Sequence, residues 1–253
     1  MRRSSTFKLG RRGPGIDPLG RTLKMDSYIA PDFRRFVTKG IDNTGGIKPP
    51  LPDFGNFDAG CCTCASIALA EMFSSTVARN ATIIRSKARV LADYSDVGAI
   101  EGAAYDPSTG ANDNGCNMLD VLNYMRKQGR IIAFGDTAKD HLYDSLWLYG
   151  FVLLGLSLPD DWREQMPSGI WDLVGKRPNP DNGHEVTAIL DGTDNTIKVA
   201  TWDGFMVLPP RAIDGMVDDC KVAILPSWIR ADGTAPSSFD LKAMLADRAI
   251  VAT

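Results

Sequence analysis

The chain has 253 residues, 44% hydrophobic and 23% charged, with a net charge of −3, a globular composition with enough apolar material for one sizeable core or two lobes. No apolar run approaches the roughly 20 residues a membrane helix needs; the longest candidate, residues 146–158, is short and broken by Gly150 and Gly155. Five cysteines, an odd number, do not read as a disulfide framework, and the basic N-terminus lacks the apolar stretch of a secretory signal, so a reducing compartment is expected.

Residues 1–54 read as a basic N-terminal arm with turns, closing on the Pro-rich stretch KPPLPDFG. Residues 1–40 carry ten Lys/Arg against Asp17, Asp26 and Asp32, a balance of +7 that leaves −10 for the rest of the chain. Such an arm suits nucleic acid, an acidic protein surface or the chain's own acidic body. From 62 to 79, Ala65, Ala68, Leu69, Met72, Phe73 and Val77 recur at helical spacing. A second helix is expected over 81–94. Residues 101–115 form a loop rich in Gly, Asp and Asn. An amphipathic helix follows over 116–129, then a short one over 139–149. Beyond Phe151 the pattern changes: 151–159, 184–192, 196–204 and 221–226 read as strands bounded by Gly, Asp and Pro. A terminal helix is expected over 238–249. Helices in front and strands behind predict an α+β protein of two lobes, one helical over about 55–135 and one sheet-based over about 150–228. The cleft between such lobes is where chemistry is sought.

The stretch GNFDAGCCTCASIALAEM (55–72) puts three cysteines within four positions at the head of the first helix. Cys61 and Cys64 have a spacing zinc accepts, but a tetrahedral site needs two more ligands. Cys116, Cys220, His141 and His184 are each isolated in the sequence, so no metal is expected. A redox pair would need a strand before the helix. HEVTA (184–188) lacks the second histidine of a zinc-protease helix. The acidic loop with Asp106, Asp113 and Asn114 does not follow the EF-hand spacing. A nucleophilic thiol needs a lowered pKa, which the first turn of a helix favours. Cys62 falls at that turn, and His184 opens a later strand. The two could face each other across the cleft as a thiol–imidazole pair. Cysteine is also a common small core residue, so all five have that plainer reading.

The segments GNFDAGCCTCA, GHEVTAILDG and IKVATWDG together resemble the papain-like cysteine peptidase fold, most of all its small prokaryotic and phage-encoded branch. The resemblance spans about residues 50–250 and leaves the arm outside. It implies Cys62 as nucleophile and His184 as base. Asn56, six residues before Cys62, becomes an oxyanion donor, and Trp202 shields the pair. Choosing Cys64 instead would put Asp58 at the donor position, where a carboxylate would repel an oxyanion. The asparagine that orients the histidine in this family is replaced by Ala200, and Asp203 follows the tryptophan in place of glycine. Thr201, Asp203 or Asp191 is left to do the orienting.

The implied function is a thiol hydrolase, a peptidase or amidase acting on a peptide or protein substrate without a cofactor. The loss of the orienting asparagine suggests a weakened one. The alternative is an inactive structural protein that keeps this fold as the body of an assembly such as a phage virion. There the arm over residues 1–40 would dock on a protein partner, with nucleic acid as a second kind of surface. The location is then cytoplasm or virion, with no membrane partner.

Overall fold

The computed structural model describes residues 7–14, 23–24, 42–192, 196–235 and 237. Helix α1 (Cys62–Arg79) has the bounds its apolar spacing predicts and ends at Asn80 in the left-handed conformation. Helix α2 runs over Lys87–Ile100 rather than 81–94. Residues 81–86 are irregular, and the Ser86 side chain accepts from the Arg89 N–H to cap the helix start. Helix α3 (Met118–Lys127) is capped by Asn117 in the same way. The expected helix over 139–149 is a short 3-10 turn leading into α4 (Leu142–Tyr149), which stops at left-handed Gly150.

The remaining elements build one seven-stranded sheet in the order β1-β2-β7-β3-β4-β5-β6. The strands are β1 (Leu23–Lys24), β2 (Ala133–Asp136), β3 (Val152–Ser157), β4 (Gly183–Leu190), β5 (Ile197–Thr201), β6 (Gly204–Val207) and β7 (Val217–Ile224). All pairings are antiparallel except the short β1–β2 edge. The stretch expected as one strand over 196–204 is a hairpin, turning at Trp202 and Asp203. Two short helices, α5 (Trp162–Gln165) and α6 (Pro210–Met216), and 3-10 turns at Met166–Ser168 and Pro226–Trp228 complete the described elements. The expected helix over 238–249 lies outside the described residues.

Alternation along the strands gives the sheet two buried faces. Val152, Leu154, Leu156, Val186, Ala188, Leu190, Val222 and Ile224 point to one core, shared with α4 and α6. Leu153, Ile189, Ala200 and Ala223 point to the other, against α1, α2 and α3. The result is the α+β, two-lobe arrangement expected from the sequence. Two hydrogen bonds fasten α1 to β4: Ser66 Oγ donates to the Glu185 carbonyl (3.0 Å), and Thr187 Oγ1 donates to the Ser66 carbonyl (2.7 Å). This seam sets the N-terminal end of α1 beside the start of β4. No described helix is long and apolar enough to cross a membrane.

Candidate active site

Cys62 is the first residue of α1 and is fully buried. Its thiol meets backbone from two directions, Glu185 on β4 and Gly10 in the N-terminal arm, and both contacts favour the thiolate. Burial outweighs them and pushes the thiol up to about 12, with the Glu185 carboxyl adding to the rise. The other four cysteines are also buried and free, and burial raises each of them. Cys61 and Cys64 contribute to the helical core.

His184, on the strand next to the seam, is fully buried. Its Nε2 is 2.6 Å from Thr201 Oγ1. Thr201 thus stands where an orienting acceptor is needed, from the neighbouring strand β5; Ala200 is a buried core residue. The opposite ring nitrogen, Nδ1, is buried with no hydrogen-bond partner. The Trp202 indole stacks on the imidazole at 4.3 Å and 12°. Trp202 holds a positive φ of 45°, unusual for a bulky side chain and imposed by the hairpin turn. Trp162 stacks on its other side, and Trp171 and Phe7 meet it edge-on. Burial, reinforced by the Arg11 charge, lowers His184 to about 3. In this state the thiol and the imidazole are both neutral.

Asn56 is buried in the turn before α1, its N–H bonded to the Asp53 carbonyl and its Oδ1 without a partner. The same turn region is fixed by Asp113, whose Oδ1 accepts from the Gly60 N–H (2.7 Å) and from the Tyr94 hydroxyl (2.9 Å). Asp113 therefore acts as a brace between the loop and the head of α1. Asp191 pairs with Lys198, so it is not an orienting group for His184. Among the described residues no cluster of His, Cys, Asp and Glu could hold a metal ion.

The arm segment 7–14 occupies this site. The Arg11 N–H donates to the Gly183 carbonyl (3.2 Å), the Cys116 N–H to the Gly10 carbonyl (2.8 Å), and the Arg12 N–H to the Cys116 carbonyl (3.1 Å). Arg11 and Cys116 form a parallel bridge. A β-carbon at Gly10 would overlap the Gly60 carbonyl, and one at Gly115 the Gly10 carbonyl, so the crossing admits bare backbone only. On one side Phe7 packs among Phe57, Trp162 and Trp202. On the other the Arg11 side chain, 2% exposed, lies among Glu185, Asp218 and Asp219. Of the destinations the sequence left open for the basic arm, this segment takes the chain's own acidic body.

No protein-family model and no curated protein matches the sequence. Several solved structures are similar in part. One comes from work on antibody cross-reactivity between the mite allergens Blo t 1 and Der p 1. It has 13% identity and a TM-score of 0.49, and the match covers 85% of this chain and 75% of that one. Digestive procathepsin L 3 of Tenebrio molitor larval midgut gives 13% and 0.49 over 87% and 76%. The ragweed pollen allergen Amb a 11, a cysteine protease in its proform, gives 15% and 0.49 over 75% and 67%. The chemistry of the site is read from this chain's own residues.

Sequence reasoning placed Cys62, His184, Thr201 and Trp202 in one region and missed the residues that close it. Phe7, Gly10 and Arg11 were counted only as part of a charged arm. Glu185 was weighed only as the second letter of a metal motif. The available signal was an acid placed directly after the candidate base in a strand that is otherwise uncharged from 183 to 190.

Proposed function

We propose that the chain is a thiol hydrolase of papain-like design, a peptidase or amidase, held latent by its own segment 7–14. One observation carries this reading. His184 is bonded through Nε2 to Thr201 and covered by Trp202, while its Nδ1 is left without a partner on the strand whose Glu185 backbone contacts the Cys62 thiol. The unpartnered Nδ1 is the nitrogen a general base would use.

In the proposed reaction the Cys62 thiol gives its proton to His184 Nδ1, and the sulfur attacks the carbonyl carbon of an amide or ester. The carbonyl π electrons move to oxygen, where the Cys62 backbone N–H and the Asn56 side chain stabilise the charge. Collapse expels the amine, which takes the proton from His184 and leaves a thioester on Cys62. Water then gives a proton to His184 and attacks the thioester carbon, and collapse breaks the carbon–sulfur bond, the departing sulfur taking the proton back from His184 as the acid leaves. Thr201 keeps the imidazole turned toward sulfur throughout. With the arm seated there is no room for substrate and no solvent to favour charge separation, which fits the neutral pair.

A second reading is favoured by the complete burial of Cys62 and His184: an inactive body in which the arm is a permanent part of the fold. One experiment separates them. In a Gly10→Ala chain the arm cannot seat. The hydrolase reading expects iodoacetamide to label Cys62 about tenfold or more faster than in the native chain, ahead of the other cysteines. It also expects peptide-amide turnover that Cys62→Ala abolishes. Equal, slow labelling of all five cysteines with no turnover, in a chain whose arm exchanges its amide hydrogens freely, would overturn it.

A further inference from the structure

The Arg11 side chain fills a cavity made by three strands. Its Nε lies 3.3 Å from Glu185 Oε2 on β4, and its Nη2 lies 2.6 Å from Asp218 Oδ1 and 3.8 Å from Asp219 Oδ2 on β7. The floor is Gly155 of β3, where any β-carbon would overlap the guanidinium, and the entrance is Gly183, where one would overlap the Arg11 carbonyl. The cavity is thus cleared of side chains at both points where arginine passes. Asp218 is further held by Ser157 Oγ (2.7 Å), and Asp219 by Lys221 Nζ (3.0 Å). Among the described residues Arg11 is the cation that pairs with Glu185.

The resident arginine satisfies this cavity only in part: it is close to Asp218 at 2.6 Å, whereas both Glu185 carboxylate oxygens are buried without an aligned hydrogen-bond partner. Burial works against the Arg11 charge, but Glu185, Asp218 and Asp219 outweigh it and raise its pKa. Glu185, 1% exposed and 3.3 Å from Arg11 Nε, has its carboxyl raised by burial above the ordinary value, so a cation better aligned with it would gain a carboxylate partner.

We infer that the cavity bounded by Gly155, Gly183, Glu185, Asp218 and Asp219 is a recognition subsite for the arginine side chain of a peptide, for which Arg11 holds the place. The inference rests on the hydrolase reading only in calling that peptide a substrate. Arginine rather than lysine is selected because two separate nitrogens of one side chain face carboxylates on two different strands. A guanidinium meets both with nitrogens spread over a rigid plane, where an ammonium would have to bring them to a single nitrogen. The subsite runs along β4 next to the candidate base, since the arm that fills it bonds the Gly183 carbonyl and the Glu185 backbone contacts the Cys62 thiol, although the Glu185 and His184 side chains leave the strand on opposite faces.

The test uses the full chain carrying Arg11→Ala and Cys62→Ala, with N-acetyl-arginine amide and its uncharged counterpart N-acetyl-citrulline amide as probes. The arginine probe should raise the melting temperature saturably, by several degrees at millimolar concentration. The citrulline probe should not, and N-acetyl-lysine amide should bind several-fold more weakly than arginine. Adding Glu185→Gln should weaken the arginine probe about tenfold or more. Equal responses to arginine and citrulline, or no response in a folded variant, would overturn the inference. If the variant fails to fold, the native chain serves. There the arginine probe should displace Arg11 and speed hydrogen exchange over residues 7–14, and an unchanged exchange rate would overturn it. Binding of arginine to a chain that never turns over any peptide in its Cys62 form removes the hydrolase reading and leaves the subsite. Turnover indifferent to arginine removes the subsite and leaves the hydrolase.

Discussion

Two ionic clusters, one in the helical lobe and one between the arm and the sheet, are built differently. In the helical lobe, Arg85 grips Glu71 through two hydrogen bonds of 2.6 Å. Fully buried Asp93 is met by Arg130, by Arg89 at 2.9 Å and by the Tyr124 hydroxyl at 3.3 Å. Every partner there comes from the helices or the loops joining them. In the cleft, the guanidinium that meets Glu185 arrives from the N-terminal arm, and its contacts are close but unaligned. The first cluster fastens elements that have nowhere else to go. The second joins the body to a segment that could leave, letting water reach the acids it covers.

That contrast can be broken. The largest effect is expected for Asp93→Ala, which strands Arg130 in a buried site and should cost about 3–5 kcal/mol in urea unfolding. Second in size is a pH effect confined to the cleft. His184 is held at about 3 by burial and by Arg11, below its ordinary 6.5, so below pH 6.5 the unfolded chain takes a proton that the folded chain refuses. Stability present above pH 6.5 should fall as the pH drops toward 3, by about 1.4 kcal/mol per pH unit at most. Glu185, raised first by burial, works in the opposite direction on the acid side. The measurement is therefore the difference between native and His184→Gln unfolding curves, and a difference that does not vary with pH would refute the buried neutral imidazole. Third, Arg11→Ala should cost about 1–3 kcal/mol, less than Asp93→Ala, because the arm can lift and the acids can hydrate. A cost equal to that of Asp93→Ala would erase the distinction between the clusters. The smallest change in stability, about 1 kcal/mol, is expected for Thr201→Val. In a Gly10→Ala background this variant should lower turnover about tenfold or more, and Thr201→Ser should restore it.

Local elements were legible where pattern and burial agree. The apolar spacing of Ala65, Ala68, Leu69 and Met72 marked α1 because that face does enter the helical core. Helix α2 was placed six residues early. Asn80 ends α1 in a left-handed turn, and the stretch before Ser86 runs irregularly until that side chain can cap. The short strand β2 was missed, as its four residues carry too little alternation to register. Helix α6 was signalled by two prolines at its start and passed over. Within the site, Cys62 and His184 stood out because their residue types are scarce. The Arg11–Glu185 contact did not, because 173 residues separate the two side chains and nothing local marks either as half of a pair. Composition showed that the arm is basic; only the three-dimensional path shows where residues 7–14 settle.

Gly10, Gly60 and Gly115 come from three remote stretches of chain and interlock with no side chain between them. Such a knot works like a keyhole cut to the thickness of a bare main chain. A single added methyl group at Gly10 or Gly115 would act as a wedge against a main-chain carbonyl, without touching the thiol or the imidazole. The smallest residues in the protein are thus what let segment 7–14 lie where it does.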